Sequence, residues 1–189
     1  HSLSPELHTF WMKKNNIKGT YQKRELAENE LEKLTNQVRK KIFFGVNVTV
    51  PFKKKIITHL DKLTEAAKAT ESVNTIYLKD EKLYGHNTDI EGFTQAIKKI
   101  NFIIKNKKAF IIGAGGVVSS IIYALHQMQI SKIFICNRTK TKVENLKDMF
   151  GDLEIINWGS IPDFDIVINA TSLGLNSNDN IPFDLSNIG

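Results

Sequence analysis

The residues best suited to chemistry stand in two groups. In the second half, Gly113-Ala114-Gly115-Gly116 separates a strand-like apolar run from a helical pattern. Glycines in that context let the backbone approach a pyrophosphate, which the helix N-terminus and its unpaired N–H groups would hold. A glycine turn without a ligand is the plainer alternative. The third fingerprint position is Val118 rather than Gly or Ala, so helix–strand packing must accommodate a larger side chain. One strand later, Asn137-Arg138-Thr139 occupies the place where a NAD site carries Asp or Glu for the ribose 2′-OH. Arg138, Thr139 and Lys142 suit a 2′-phosphate instead, through forked hydrogen bonds and charge. That favours NADP over NAD, against the alternative of a simple helix-entry turn. Asn169-Ala170-Thr171-Ser172-Leu173-Gly174 follows a further strand and points small polar groups toward the same crevice.

The first half carries short polar segments at strand ends and helix starts. They are His1-Ser2-Leu3-Ser4-Pro5, Asn47 through Lys53, Ser72-Val73-Asn74-Thr75 and Gly85-His86-Asn87-Thr88-Asp89. Hydroxyls and amides converging on one place suit a polyhydroxylated substrate. Taken singly, Ser4 and Thr88 read as N-caps, and Asn47 and Asn74 as strand-end turn formers.

These residues need elements to position them. Ser4-Pro5-Glu6 starts a helix expected to run to about Asn15, with Ser4 at N-cap and Pro5 at N1. Ile17–Tyr21 is a strand candidate, and Glu25–Lys41 has leucines at helical spacing. Phe43–Val50 is expected as a strand, then a helix from Pro51 to about Leu60. Successive helical residues point about 100° apart, so Lys53, Lys54 and Lys55 cannot all face one site. Ser72–Leu78 and Lys82–His86 form an expected hairpin, followed by a helix over Thr88–Ile104. Strands at Lys108–Ile112, Lys132–Cys136, Leu153–Ile156 and Asp165–Asn169 alternate with helices over Val117–Met128 and Thr139–Phe150. That alternation is a βαβαβ unit with a parallel sheet. The fold class is α/β: an N-terminal α/β domain over residues 1–100, then a Rossmann-like doubly wound domain over 101–189.

Composition narrows the classes. With 189 residues, 41% hydrophobic and 24% charged, the chain is globular rather than disordered. Cys136 is the single cysteine, which excludes an intramolecular disulfide and suits a reducing compartment. There is no signal-like h-region at the start and no apolar run of the ~20 residues a membrane span needs. The net charge of +6 comes from dispersed lysines, without the dense basic stripe or module of a nucleic-acid binder.

Together with Gly113–Gly116, Asn137-Arg138-Thr139 and Asn169–Ser172, the polar segments resemble the shikimate dehydrogenase family, in order and spacing, from His1 to about Gly174. The resemblance implies a cytoplasmic NADP-dependent oxidoreductase that reduces 3-dehydroshikimate to shikimate on the chorismate route to aromatic amino acids. It implies that Ser2, Ser4, Thr49, Asn74 and Asp89 hold the substrate, and that Lys53 and Asp89 are the catalytic pair. Gly113, Ala114, Gly115, Gly116, Val117, Asn137, Arg138, Thr139, Lys142 and Thr171 are implied at NADP, with Glu65 near the nicotinamide. No metal, nucleic acid or membrane is expected, and the chain is expected to be a monomer or homodimer. The other readings are a quinate/shikimate dehydrogenase of broader specificity and a catalytically silent NADP-binding relative. Family chains open with a strand before the His1–Pro5 motif and continue past Gly189, so these residues are expected to be part of a longer protein.

Overall fold

The computed structural model describes residues 2–176, 178–179 and 182–183. The expectations at His1, and those for the 101–189 domain at residues 177, 180–181 and 184–189, lie outside the described residues. The architecture is α/β, with two four-stranded sheets that each have their own core.

The second sheet contains β5 (Lys108–Ile112), β6 (Lys132–Cys136), β7 (Leu153–Ile155) and β8 (Ile166–Asn169). All pairings are parallel, in the order β7-β6-β5-β8. The sheet is covered on both faces, which explains the continuous apolar runs. Ala109 and Ile111 of β5 enter one core with α5 (Val118–Gln127), while Phe110 and Ile112 enter another with Phe134 and Phe183. Burying one such Ile or Phe contributes about 1.5–3 kcal/mol. The helix α6 (Lys140–Phe150) follows β6 and adds buried Val143 to the α5 side. Val118 is fully buried, so the third fingerprint position accommodates valine by burying it in the core.

The first sheet contains β1 (Gly45–Asn47), β2 (Lys62–Leu63), β3 (Thr75–Lys79) and β4 (Lys82–His86), in the order β1-β3-β4-β2. The β1–β3 and β3–β4 pairs are antiparallel and β2–β4 is parallel. The hairpin turns at Asp80 and Glu81, both at positive φ, as a two-residue primed turn demands. Its core joins Val38, Ile56, Val73, Ile76 and Leu83.

Several expectations for this half are corrected. Ser4 is not an N-cap. It lies inside α1 (Ser4–Lys14), and its N–H reaches Ser2 Oγ at 3.4 Å. Ile17–Tyr21 is no strand, because no neighbouring strand pairs with it among the described residues; Tyr21 instead donates its hydroxyl to Asn47 Oδ1 at 3.1 Å. The helix expected from Glu25 starts later. Glu30 accepts the Ala27 N–H at 2.8 Å, a 3₁₀ turn follows, and α2 spans Leu31–Arg39. The Phe43–Val50 strand shrinks to Gly45–Asn47, which pairs with Thr75–Tyr77 of β3.

No α-helix follows Pro51. Phe52 N–H closes a turn on Thr49 O, Val73 N–H takes Lys53 O at 2.8 Å, and 3₁₀ helix is confined to Lys55–His59. That bond gives the Lys53 carbonyl a partner outside any helical ladder, and β3 begins at Thr75 rather than Ser72. The helix α3 (Glu65–Thr70) and the strand β2 were not expected. Thr64, whose side chain accepts the Ala67 N–H, was a legible N-cap signal for α3. The helix after Thr88 is α4 (Asp89–Lys99), which ends five residues short of Ile104 where Asn101 turns to positive φ. Ile97 of α4 packs in the core of the second sheet, although it lies within residues 1–100.

Candidate active site

The centre of the polar cluster is an ion pair. Lys53 Nζ donates to Asp89 Oδ2 at 2.7 Å, with side chains 16% and 23% exposed. Asn74 Nδ2 donates to Asp89 Oδ1 at 2.9 Å, so both carboxylate oxygens are engaged. Asn74 Oδ1 in turn accepts the Thr88 N–H at 3.0 Å. Lys53 comes from the turn after Pro51, Asn74 from the approach to β3, and Asp89 from the first residue of α4. The neighbouring lysines diverge: Lys54 pairs with Glu71 and Lys55 with Glu28, both at the surface. The separation foreseen for a helix therefore holds on a turn. Among the described residues, Ser2, Ser4 and Thr49 form no hydrogen bond to this group; Ser2 and Thr49 are exposed, and Ser4 is half-buried.

A second site lies at the carboxyl ends of β5, β6 and β8. There the strand order reverses about β5, the switch point where doubly wound sheets bind ligands. Gly113, Ala114 and Gly115 form one wall of a cleft of about 200 Å³. Asn137, Arg138 and Lys142 form another, and Ala170 through Leu173 a third. Ligand pockets ordinarily run to ~300–1,000 Å³, so the cleft suits one end of a dinucleotide. Gly113 is required twice over. Its φ is +110°, and a Cβ would meet Ala170 O and Thr171 Cγ2 at 2.8 Å. The Ala170–Leu173 loop is preorganised by Asn169. Its Oδ1 accepts Thr171 Oγ1 at 2.7 Å and Thr171 N at 3.0 Å, while its Nδ2 donates to Leu173 O at 2.8 Å.

The donor set tests the cofactor expected here. Among the described residues the cleft is lined by Arg138 and Lys142 and by no carboxylate. That fits a 2′-phosphate and lacks the acid a 2′-hydroxyl would call for. Gly116, Val117 and Thr139 flank the cleft without lining it. Gly116 approaches Val50 Cγ2, to which a Cβ would come within 3.5 Å; Val117 precedes α5, and Thr139 O accepts Asn137 Nδ2 at 3.0 Å. Glu65 opens α3, pairs with Lys68 at 3.0 Å, is 87% exposed and does not line the cleft. Cys136 ends β6 fully buried, and burial pushes its thiol up to about 11, so it is inert rather than nucleophilic.

Sequence reasoning missed Trp158, which lines the cleft beside Arg138, because its position after β7 carries no motif. Asn87 stands out in the sequence only as part of a polar segment, and Thr70 and Ser120 carry no motif. Among the described residues no helix is long and apolar enough to cross a membrane.

Comparison with known proteins follows the same division. A family profile described as the shikimate dehydrogenase substrate binding domain matches residues 1–76, and one described as shikimate / quinate 5-dehydrogenase matches residues 95–176. The shikimate dehydrogenase (NADP(+)) of Pelagibacter ubique is 53% identical over 188 residues, spanning 100% of this chain and 71% of the relative. The crystal structure of shikimate dehydrogenase from Aquifex aeolicus superposes with a TM-score of 0.90 at 35% identity, over 98% of this chain and 70% of that one. The enzyme from Thermus thermophilus, solved with NADP(H) and shikimate, gives 0.84 at 31% identity, over 93% and 66%. With a relative this similar along the whole matched length, and both sheets found again in solved structures, the chain belongs to the shikimate dehydrogenase family.

Proposed function

We propose that this protein is an NADP-dependent shikimate dehydrogenase, reversibly reducing 3-dehydroshikimate to shikimate in the cytoplasm. Residues 1–100 serve the substrate and 101–189 the dinucleotide. The observation that carries the reading is the Lys53–Asp89 pair at 2.7 Å, together with a basic cleft free of carboxylates among the described residues.

When bound, NADPH supplies the hydride. Hydride arriving at a ketone carbon leaves negative charge on its oxygen, and Lys53 Nζ is the group placed to give that oxygen a proton. Asp89 holds the ammonium by its Oδ2, and Asn74 fixes the carboxylate by its Oδ1. In the oxidative direction Lys53 takes the hydroxyl proton back. Arg138 and Lys142 would hold the 2′-phosphate, and the glycine turn would leave room for the pyrophosphate near the α5 N-terminus. Ser2, Ser4 and Thr49 are assigned to the substrate hydroxyls and carboxylate by their match to the family motif. The test is NADPH formation from NADP with shikimate, repeated with NAD and with quinate. Turnover with shikimate and NADP is expected to exceed both alternatives. No NADP reduction would overturn the reading, and equal rates with quinate would replace it with the broader quinate/shikimate specificity.

A further inference from the structure

A buried side chain ties the ion pair to the cofactor helix. Asn87 is 2% exposed, and its polar groups are all used. Its Nδ2 donates to Ser120 Oγ at 2.9 Å and to Thr70 Oγ1 at 3.0 Å, and its Oδ1 accepts the Asp89 N–H at 3.0 Å. Thr70 spends its own hydroxyl proton on Ala66 O at 2.7 Å, so Thr70 must accept from Asn87. That fixes the orientation of the amide: two donors toward the hydroxyls, one acceptor toward Asp89. A carboxylate there would lose both donors, and an aliphatic side chain would take a partner from Ser120, Thr70 and the Asp89 N–H.

The partners lie on both sides of the molecule. Ser120 is fully buried in the first turn of α5, directly after the glycine turn. Thr70 closes α3 beside the first sheet. Asp89 opens α4, and its carboxylate holds Lys53. The path from α5 to Lys53 is therefore Ser120, Asn87, Asp89, Lys53, each step a hydrogen bond of 3.0 Å or less.

We infer that Asn87 is a positioning residue for the proposed dehydrogenase reaction: it holds Asp89, and through it Lys53, in register with the helix that receives the dinucleotide. Hydride and proton must reach adjacent atoms of one carbonyl from opposite domains. A misplacement of ~1 Å at such a junction costs up to about 100-fold in rate. Asn87 itself touches neither ligand in this role. The inference rests on the reading of the function given above.

Asn87→Ala is the direct variant, but it removes a partner from two hydroxyls and an N–H and threatens the fold. Ser120→Ala breaks the same path at its far end with a residue that favours helix. In Ser120→Ala, kcat with shikimate and NADP is expected to fall by roughly tenfold, with KM for both within about twofold. Calorimetric affinity for shikimate without cofactor, and fluorescence affinity for NADPH without substrate, are expected to stay within about twofold. In the Asn87→Ala background the Ser120→Ala substitution is expected to add almost nothing, as a shared path requires. A folded Ser120→Ala enzyme with kcat within about threefold of wild type would overturn the inference. So would a loss of kcat matched by an equal loss of shikimate affinity, since that would make the effect one of substrate binding. An unmodified enzyme that fails to reduce NADP with shikimate would instead overturn the functional reading.

Discussion

The second sheet makes its cleft from backbone topology, whereas the first sheet makes its ion pair from side chains on irregular segments. In the second, parallel strands end at a switch point, and the cleft sits wherever those ends fall. Its chemistry is grafted onto regular elements through a glycine turn, an arginine and a polar loop. In the first, Lys53 hangs on a turn, Asn74 on a connection and Asp89 on a helix end, and hydrogen bonds among them define the geometry. The difference predicts where damage stays local. Removing a cleft residue should alter which dinucleotide binds, and removing a cluster residue should alter turnover.

The largest expected effect tests the cluster. Lys53→Ala removes the proposed proton donor, and turnover is expected to fall by ~10²–10⁴-fold, while NADPH affinity measured by fluorescence titration stays near wild type. Wild-type-like turnover would dissolve the distinction between the regions. Next comes Arg138→Ala. Losing a charge-assisted contact to phosphate costs about 1.5–3 kcal/mol, or roughly 10–100-fold in NADP affinity. NAD affinity is expected to change little, so the ratio of the two constants is the measurement, and equal losses would contradict the 2′-phosphate assignment.

Gly113→Ala probes the backbone route itself. The residue sits at φ +110° with Ala170 O where a Cβ would go. Strain of this kind costs roughly 1–3 kcal/mol, to be seen as a lower thermal midpoint, with weakened dinucleotide binding. An unchanged midpoint would show that the Ala170–Leu173 loop yields easily, and that the cleft is less fixed by topology than by its loop.

The same contrast explains what was legible in the sequence. The strands and helices from Lys108 to Asn169 emerge within a residue or two of their expected ends, because buried parallel strands and amphipathic helices leave strong periodic signals. In the first half, periodicity misleads. Pro51 looks like a helix start, but the bond from Val73 N–H to Lys53 O decides otherwise, and that partner lies twenty residues away. The β2 strand is two residues long and exists only through β4. Phe43 and Phe44 look like strand residues, yet Phe44 is 98% exposed. Within the cluster, residue types suggested a polar site, and the family motif singled out Lys53 from its neighbours. The link through Asn87 is not legible in the sequence, since Thr70 and Ser120 carry no local signal.

The smallest effect compares two carboxylates that play the same structural part in the two sheets. Asp61 takes Arg39 Nη1 and Nη2 at 2.6 and 2.8 Å and the Leu83 N–H at 2.7 Å, tying α2 to β4. The Arg39 hydrogen bonds first, and the Leu83 N–H second, hold its carboxyl down from 3.8 to about 2. Asp165 takes the Lys108 N–H at 2.8 Å and Lys107 Nζ at 2.9 Å beside β5, and the Lys108 N–H chiefly lowers its carboxyl too. A carboxyl lowered on folding binds its proton more readily in the unfolded chain. Its stabilisation is therefore complete above about pH 4 and is lost as pH falls through the folded value near 2. The Arg39–Asp61 pair is about a third exposed, so solvent screening keeps the contribution within ~1 kcal/mol. Asp61→Asn is expected to lower the denaturant midpoint slightly at neutral pH, and its deficit relative to wild type should close as pH drops from about 4 toward 2. Asp165→Asn should show a shallower version, because a single ammonium replaces the guanidinium fork. A deficit that stays constant across that range would mean that Asp61 acts by packing rather than by charge, and the first sheet would then owe less to its side-chain bonds than its Lys53–Asp89 cluster suggests.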